Sequence, residues 1–340
     1  MVSRFSSRCL ICFTGPLVHP PFTEASLRPV QRYQTAQPLT MSESLHQNTI
    51  FNLQGRVALV TGGGTGIGWQ IASGLAQNGA KVYISGRRKE TLESAAKDFA
   101  GKHEDATGSI IPLTMDVTDR ASIAAARDVI ASNEGKLHVL VNNAGQTGPV
   151  SPWFEDPNSP QRQNSETIGR GLFEGESFES WSSIYSVNAF SVFFVSTAFL
   201  GLLSKGSEDV AGHTSLIVNI TSVSGQVKLS QNHFAYNSAK AAASHLTKMM
   251  ATEFALKDVP VRVCAVSPGV WESEMTAAKI TPEMVDRVGK GLQPVPAKRP
   301  GLAGEIAGTV IYLASPAGCY TNGQEIVVDG GYLMVNPSTV

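Results

Sequence analysis

Charge is scarce in this chain, and what there is cancels. Charged residues make up 16% of the 340, against about 25% in an ordinary soluble domain. The 27 Lys and Arg face 28 Asp and Glu, for a net charge of -1. A nucleic-acid binder would carry a basic excess or stripe, so that class is excluded. Cysteine is also rare. Four in 340 residues cannot build a disulfide scaffold, which points to a reducing compartment. Cys9 and Cys12 form a C-x-x-C pair, but no second Cys/His pair accompanies them for zinc, and the strand–helix context of a redox motif is missing. No metal site is expected. The longest apolar run, 187–203, falls short of the ~20 residues a membrane span needs. It is interrupted by Asn188, Ser191, Ser196 and Thr197, so it reads as a buried helix. Internal repeats are absent.

What is plentiful is apolar surface and glycine. Hydrophobic residues reach 42% and glycine numbers 32. The chain can bury a large core, and global disorder is excluded. Residues 1–45 differ from the rest. The first 40 hold Arg4, Arg8, Arg28 and Arg32 against the single acid Glu24, the profile of a mitochondrial transit peptide. Pro16, Pro20, Pro21, Pro29 and Pro38 break the amphipathic helix such a peptide uses. The stretch therefore reads as a disordered tail or an extension upstream of Met41. A cytoplasmic location follows from that reading, and a mitochondrial one from the transit-peptide alternative.

From residue 54 onward, short apolar runs alternate with helical patterns. Strands are expected at 56–61, 81–85, 110–116, 137–142, 215–220, 261–266 and 325–329. Helices are expected at 67–77, 89–101, 120–133, 182–203, 236–256 and 303–314. Continuous apolar strands separated by helices imply a parallel sheet covered on both faces. Right-handed crossovers then give one doubly wound α/β domain of seven parallel strands over 46–340, a Rossmann sheet. Two segments break the rhythm. Residues 146–181 form a long polar connection with four prolines, able to cover a site or to pack on a neighbouring subunit. Residues 270–301 follow a strand's carboxyl end, where such sheets bind ligands.

Three motifs carry chemistry. Thr61-Gly-Gly-Gly-Thr-Gly-Ile-Gly68 sits between a strand and a helix. Its glycines permit a tight turn, and the helix start offers free N–H groups to a pyrophosphate. At the end of the second strand stand Arg87, Arg88 and Lys89 with no acid before them. An NAD site places a carboxylate there, whereas cations accept the 2′-phosphate of NADP(H). Tyr236 and Lys240 open a helix four residues apart, so they share one face. A Tyr with an ordinary pKa of ~10 exchanges protons poorly at neutral pH, and a nearby cation favours the phenolate. Ser222 ends the fifth strand, Asn142-Asn-Ala-Gly145 ends the fourth, and Asn188 lies in an apolar helix, where an amide needs a partner.

The order TGGGTGIG, NNAG, a helix Asn, a strand-end Ser, YNSAK and Ser267-Pro-Gly269 resembles the short-chain dehydrogenase/reductase family over about residues 51–334. Around Ser267–Thr276 the chain is similar to the branch of rhamnolipid-type 3-oxoacyl carrier-protein reductases and to fungal secondary-metabolism reductases. The resemblance implies an NADP(H)-dependent oxidoreductase that interconverts a ketone and a secondary alcohol. Tyr236 would exchange the proton, Ser222 would orient the carbonyl, Lys240 would hold the nicotinamide ribose, and Asn188 would hold a water in a relay. Gly62, Thr65, Gly66, Ile67 and Gly68 would cradle the pyrophosphate. Arg87 and Arg88 would meet the 2′-phosphate, Asp116 and Val117 the adenine, and Asn143 the ribose. Val270 and Ser273 would meet the nicotinamide amide, Ser273 standing where the family usually has Thr. The apolar Trp271 and Met275 suit a hydrophobic, polyketide- or acyl-type substrate. A homodimer or homotetramer through the 182–203 and 236–256 helices is implied as well. The competing reading is a non-catalytic nucleotide-binding interaction protein, against which Ser222, Tyr236 and Lys240 all stand.

Overall fold

Seven short apolar runs become seven strands. In the computed structural model the strands are β1 (Val57–Thr61), β2 (Lys81–Gly86), β3 (Ser109–Thr114), β4 (Val139–Asn142), β5 (Ser215–Ile220), β6 (Val261–Pro268) and β7 (Glu325–Val328). Of these, β1, β4, β5 and β6 are covered on both faces along their whole length and the edge strands β3 and β7 only in part. Every pair of neighbours is parallel, in the order β3-β2-β1-β4-β5-β6-β7. The structure describes residues 44–272 and 294–339. The chain divides into Met1–Thr40 and Met41–Val340, and all described residues belong to the second unit. The expectations for the N-terminal extension, for Cys9 and Cys12, for Ser273 and for most of 270–301 fall outside the described residues.

The helices are α1 (Gly66–Gln77), α2 (Lys89–Lys102), α3 (Arg120–Glu134), α4 (Ser165–Gly175), α5 (Phe178–Tyr185), α6 (Ser191–Asp209), α7 (Phe234–Leu256) and α8 (Ala303–Ala314). Strand alternation splits the core into two layers. Ala58 and Val60 of β1 join Ile71 and Leu75 of α1 and Val310 of α8 in one cluster. Val57 and Leu59 point the other way, toward Ile130 of α3, Phe199 of α6 and Ala243 of α7. The chain therefore reverses its winding between β1 and β4. That switch point opens the crevice at the strands' carboxyl ends.

Two expectations change. The 182–203 helix is longer and interrupted: α5, a π-helical turn at Ser186–Phe190, and α6 run on from one another. Ser177 starts it early, its hydroxyl accepting from the Ser180 N–H while the Ser180 hydroxyl accepts from the Ser177 N–H. The combined helix Phe178–Asp209 is long and apolar enough to cross a membrane, and half of its most apolar window is buried inside the protein. The 146–181 connection is also not a structureless loop. It holds 3₁₀ turns at Pro152–Phe154 and Pro160–Arg162, then α4, which Asn164 and Thr167 cap reciprocally. Trp153 lies against Gly171, where a Cβ would stand 2.9 Å from the indole. Phe154 meets Phe234 edge-on at 5.5 Å, and the Ser151 N–H donates to the Asn232 carbonyl. The insertion is thereby fastened to the segment that leads into α7.

Candidate active site

The glycine loop is built by its backbone. Gly62 and Gly66 have φ of 63° and 54°, left-handed values that a Cβ disfavours. Gly68 packs so closely that a Cβ would meet the Gly62 carbonyl at 2.3 Å. Thr65, extended at φ -149°, precedes the first turn of α1, whose leading N–H groups have no partner within the helix. Asn143 locks this loop to β4: its side-chain amide donates to the carbonyls of Thr61 and Gly62 at 2.9 and 3.1 Å. Thr61 returns the contact, its hydroxyl accepting from the N–H groups of Asn143 and Ala144 at 3.0 Å each. Thr61 belongs to the working parts and was not among the expected residues. Its signal in the sequence was its place at the end of the first strand, next to the glycines.

A cleft of about 500 Å³ runs along this loop, a size typical of small-molecule and cofactor sites. Arg87, Arg88, Asp116 and Val117 line one end, Gly62, Thr65, Gly66, Ile67, Gly68 and Asn143 the middle, and Ser222, Tyr236 and Lys240 the other end. Both arginines are exposed. Thr118, bonded through its hydroxyl and its amide, holds the Asp116 carboxyl below its ordinary range. A dinucleotide fits this succession: cations at one end, a helix N-terminus in the middle, and a hydroxyl pair with an ammonium at the other.

At the far end, α7 carries Tyr236 and Lys240 on one face, with Lys240 Nζ 5.8 Å from the centre of the Tyr236 ring. Lys240 is buried and donates to the Ile220 carbonyl at 2.8 Å. Burial lowers its pKa from 10.5 to about 8. Lys240 stands where its charge favours the phenolate, and burial of the phenol acts the other way. Burial raises the phenol above 10, and the hydrogen bond with Ser222 only partly opposes it. Desolvation of the phenolate outweighs the stabilisation it receives.

Two other expected residues take different places. Asn188, buried in the π-helical turn, does not line the cleft. It clamps a residue that does, accepting from the Gln146 N–H at 2.9 Å and donating to the Gln146 carbonyl at 2.8 Å. Both halves of its amide are used on backbone, so it fixes the turn after the NNAG segment. A π turn re-aims one side chain, and such turns recur at functional sites. Val270 also turns away, into an apolar cluster with Val223, Val227 and Tyr332. Trp271 lines the cleft in its place, its indole flat on Gly301, where a Cβ would stand 2.0 Å away. Among the described residues no group of three or more His, Cys, Asp or Glu could hold a metal.

The profile of a family described as enoyl-(acyl carrier protein) reductase matches residues 62–333. The chain is 36% identical over 316 residues to the short-chain dehydrogenase/reductase VdtF of Byssochlamys spectabilis, covering 87% of this chain and 99% of that one. It is 30% identical to the rhamnolipids biosynthesis 3-oxoacyl-[acyl-carrier-protein] reductase of Pseudomonas aeruginosa, covering 83% and 98%. Among solved structures, the Pseudomonas aeruginosa RhlG/NADP active-site complex superposes with a TM-score of 0.70 at 29% identity, over 83% of this chain and 98% of that one. The 7 alpha-hydroxysteroid dehydrogenase complexed with NADH and 7-oxo glycochenodeoxycholic acid superposes with a TM-score of 0.65 at 28% identity, over 85% and 98%.

Proposed function

This chain belongs to the short-chain dehydrogenase/reductase family, and on that premise we propose that it is an NADP(H)-dependent ketoreductase for a hydrophobic, polyketide- or acyl-type carbonyl in cytoplasmic secondary metabolism. The reductive direction rests on Arg87 and Arg88 at the β2 end of the cleft, which suit the phosphorylated cofactor of reductions, NADPH. A phenol that keeps its proton at neutral pH is a donor, and the alkoxide formed from a ketone is basic enough to take that proton. When bound, a nicotinamide supplies the hydride chemistry. The chain supplies the rest. Ser222 directs its hydroxyl at the carbonyl oxygen, Tyr236 delivers the proton there, and Lys240 places a cation beneath the phenol ring. The acyl or polyketide character rests on the buried, apolar Trp271 in the cleft wall, on the named activity of the rhamnolipid relative and on the fungal relatives.

NADP(H) over NAD(H) rests on Arg87 and Arg88 at the β2 end of the cleft. Titration of intrinsic fluorescence tests it. NADPH is expected to bind more tightly than NADH, and Arg87→Ala to weaken NADPH roughly tenfold to a hundredfold, the worth of one charge-assisted hydrogen bond, with NADH little changed. Equal affinities for the two nucleotides in the unaltered chain would sink the assignment. The same reading includes assembly. Phe190 of the π turn and Phe193 and Phe194 of α6, with Met249 and Leu256 of α7, leave large apolar side chains exposed. Their burial in a homodimer or homotetramer accounts for them, and light scattering that finds a monomer would overturn it.

A further inference from the structure

Ser222 is held from behind. It caps the 3₁₀ turn Val223–Gly225, its Oγ accepting from the Ser224 N–H at 3.1 Å. Ser222 and Tyr236 line the same end of the cleft, so this turn sets where the Ser222 side chain stands beside the phenol. The Ser224 hydroxyl in turn donates to Gln231 Oε1 at 2.7 Å, and Gln231 Nε2 donates to the Tyr332 hydroxyl at 3.2 Å. Tyr332 is buried in the apolar cluster with Val223, Val227, Val295 and Leu333. Hydrogen bonds from a buried anchor near the C-terminus therefore reach the side chain of Ser224, whose backbone N–H holds Ser222.

The backbone at Gln231 is unusual. Gln231 and Asn232 have φ of 53° and 63° in succession, in the left-handed region that side chains with a Cβ rarely adopt. Such conformations persist only where the surroundings over-determine them, and they cluster at functional sites. Here the surroundings are explicit. The Asn237 side chain donates to the carbonyls of Leu229 and Ser230 at 3.0 Å each, and the His233 N–H donates to Ser230. The Asn232 carbonyl accepts from Ser151 of the insertion. Only a side chain that accepts and donates at once, and is long enough to span two hydroxyls, closes the line between Ser224 and Tyr332. Glutamine meets that condition.

We propose that Gln231 is a positioning residue, fixing through Ser224 the turn that places Ser222 beside Tyr236, with Tyr332 as its anchor. The proposal rests on the reading of Ser222 and Tyr236 given above. It differs from a purely structural role in what glycine would do at this position. Glycine accepts the left-handed backbone without strain, so Gln231→Gly is expected to fold as stably as the unaltered chain or more so. It is also expected to bind NADPH within about twofold, while kcat falls roughly tenfold to a hundredfold through misplacement of Ser222.

The test pairs that kinetic split with a readout that needs no substrate. Tyrosine labelled with ¹³C at Cζ reports each phenol's titration, and the signal of Tyr236 is assigned as the one lost in Tyr236→Phe. In Gln231→Gly the Tyr236 phenol is expected to titrate at higher pH, moving in the direction seen in Ser222→Ala. Tyr332→Phe is expected to move it the same way by less. Ser224→Ala added to Gln231→Gly is expected to change kcat by less than about threefold, because the two act through one link. An unchanged kcat in Gln231→Gly, or an unshifted Tyr236 titration in that variant, would overturn the proposal. Failure of the underlying reading shows itself elsewhere, as turnover that survives in Tyr236→Phe, and the phenol titration then still decides the role of Gln231.

Discussion

Replacing Tyr236 by Phe is expected to reduce ketone turnover by 10³-fold or more while leaving NADPH affinity within about twofold. General acid catalysis by a positioned side chain contributes about 10² to 10⁴, and the phenol is the group best placed to donate at this end of the cleft. Its hydroxyl is bonded to Ser222, and Lys240 Nζ stands 5.8 Å from its ring. Phe keeps the ring, so α7 and the cleft wall remain. The His233 ring, 6.2 Å from that of Tyr236, keeps its neighbour as well. What is lost is one proton donor. Steady-state rates with a panel of hydrophobic ketones, beside a cofactor titration, check the two halves. Residual turnover within tenfold of the unaltered chain would remove Tyr236 from the role of acid. A chain that binds NADPH yet reduces no ketone on the panel would favour the nucleotide-binding interaction protein.

The parts of this architecture that were legible in the sequence are those fixed by local period. The central strands were readable because they are buried on both faces, as in the uniformly buried VALVT of β1 and SLIVNI of β5, and the edge strands β3 and β7 by their short β-branched runs. The Tyr236–Lys240 pair was readable because four residues is one helical turn. The glycine loop was readable because its strand and helix flank it directly. Parts fixed by long-range contact were not. The setting of Asn188 depends on a π turn that no periodicity announces, and on Gln146, 42 residues away. Helix α4 hid in a segment with Gly169, Gly171 and Gly175. Glycine weakens a helix pattern, and the indole of Trp153 supplies the packing that offsets it. The packing of the Val270 side chain on the cluster around Tyr332, beside a Trp271 that lines the cleft, was not legible, because only that cluster decides which of two consecutive residues faces inward. The Tyr236 pKa was expected to fall. Spacing reveals the cation but not the burial that opposes it.

Lys240 sets stability against function, and its removal should separate them. Its folded-state pKa is depressed from 10.5 to about 8 by burial. Between those pH values the unfolded chain binds more protons than the folded one, so this group makes stability rise with pH there. Below about pH 8 the folded protein carries a charged ammonium that it holds at a disadvantage, worth at most about 3 kcal/mol. Lys240→Met removes the charge and keeps most of the volume. It gives up the hydrogen bond to Ile220, which offsets about 1 kcal/mol. The variant is therefore expected to melt several degrees higher than the unaltered chain at pH 7. That advantage should shrink as pH rises through 8 to 10 and reverse above about 10.5, where only the lost hydrogen bond to Ile220, about 1 kcal/mol, separates the two proteins. Turnover should move the opposite way, falling by about 10² or more, because the cation beneath the phenol and at the ribose end of the cleft is lost. The unaltered enzyme should show the same group in its pH profile, with reduction steady to about pH 8 and declining above as Lys240 gives up its proton. Thermal melts across pH 6–11 for both proteins test the thermodynamic half. A Lys240→Met variant less stable than its parent at pH 7 would mean that the ammonium is well compensated where it sits, and that its charge is held for stability as well as for chemistry.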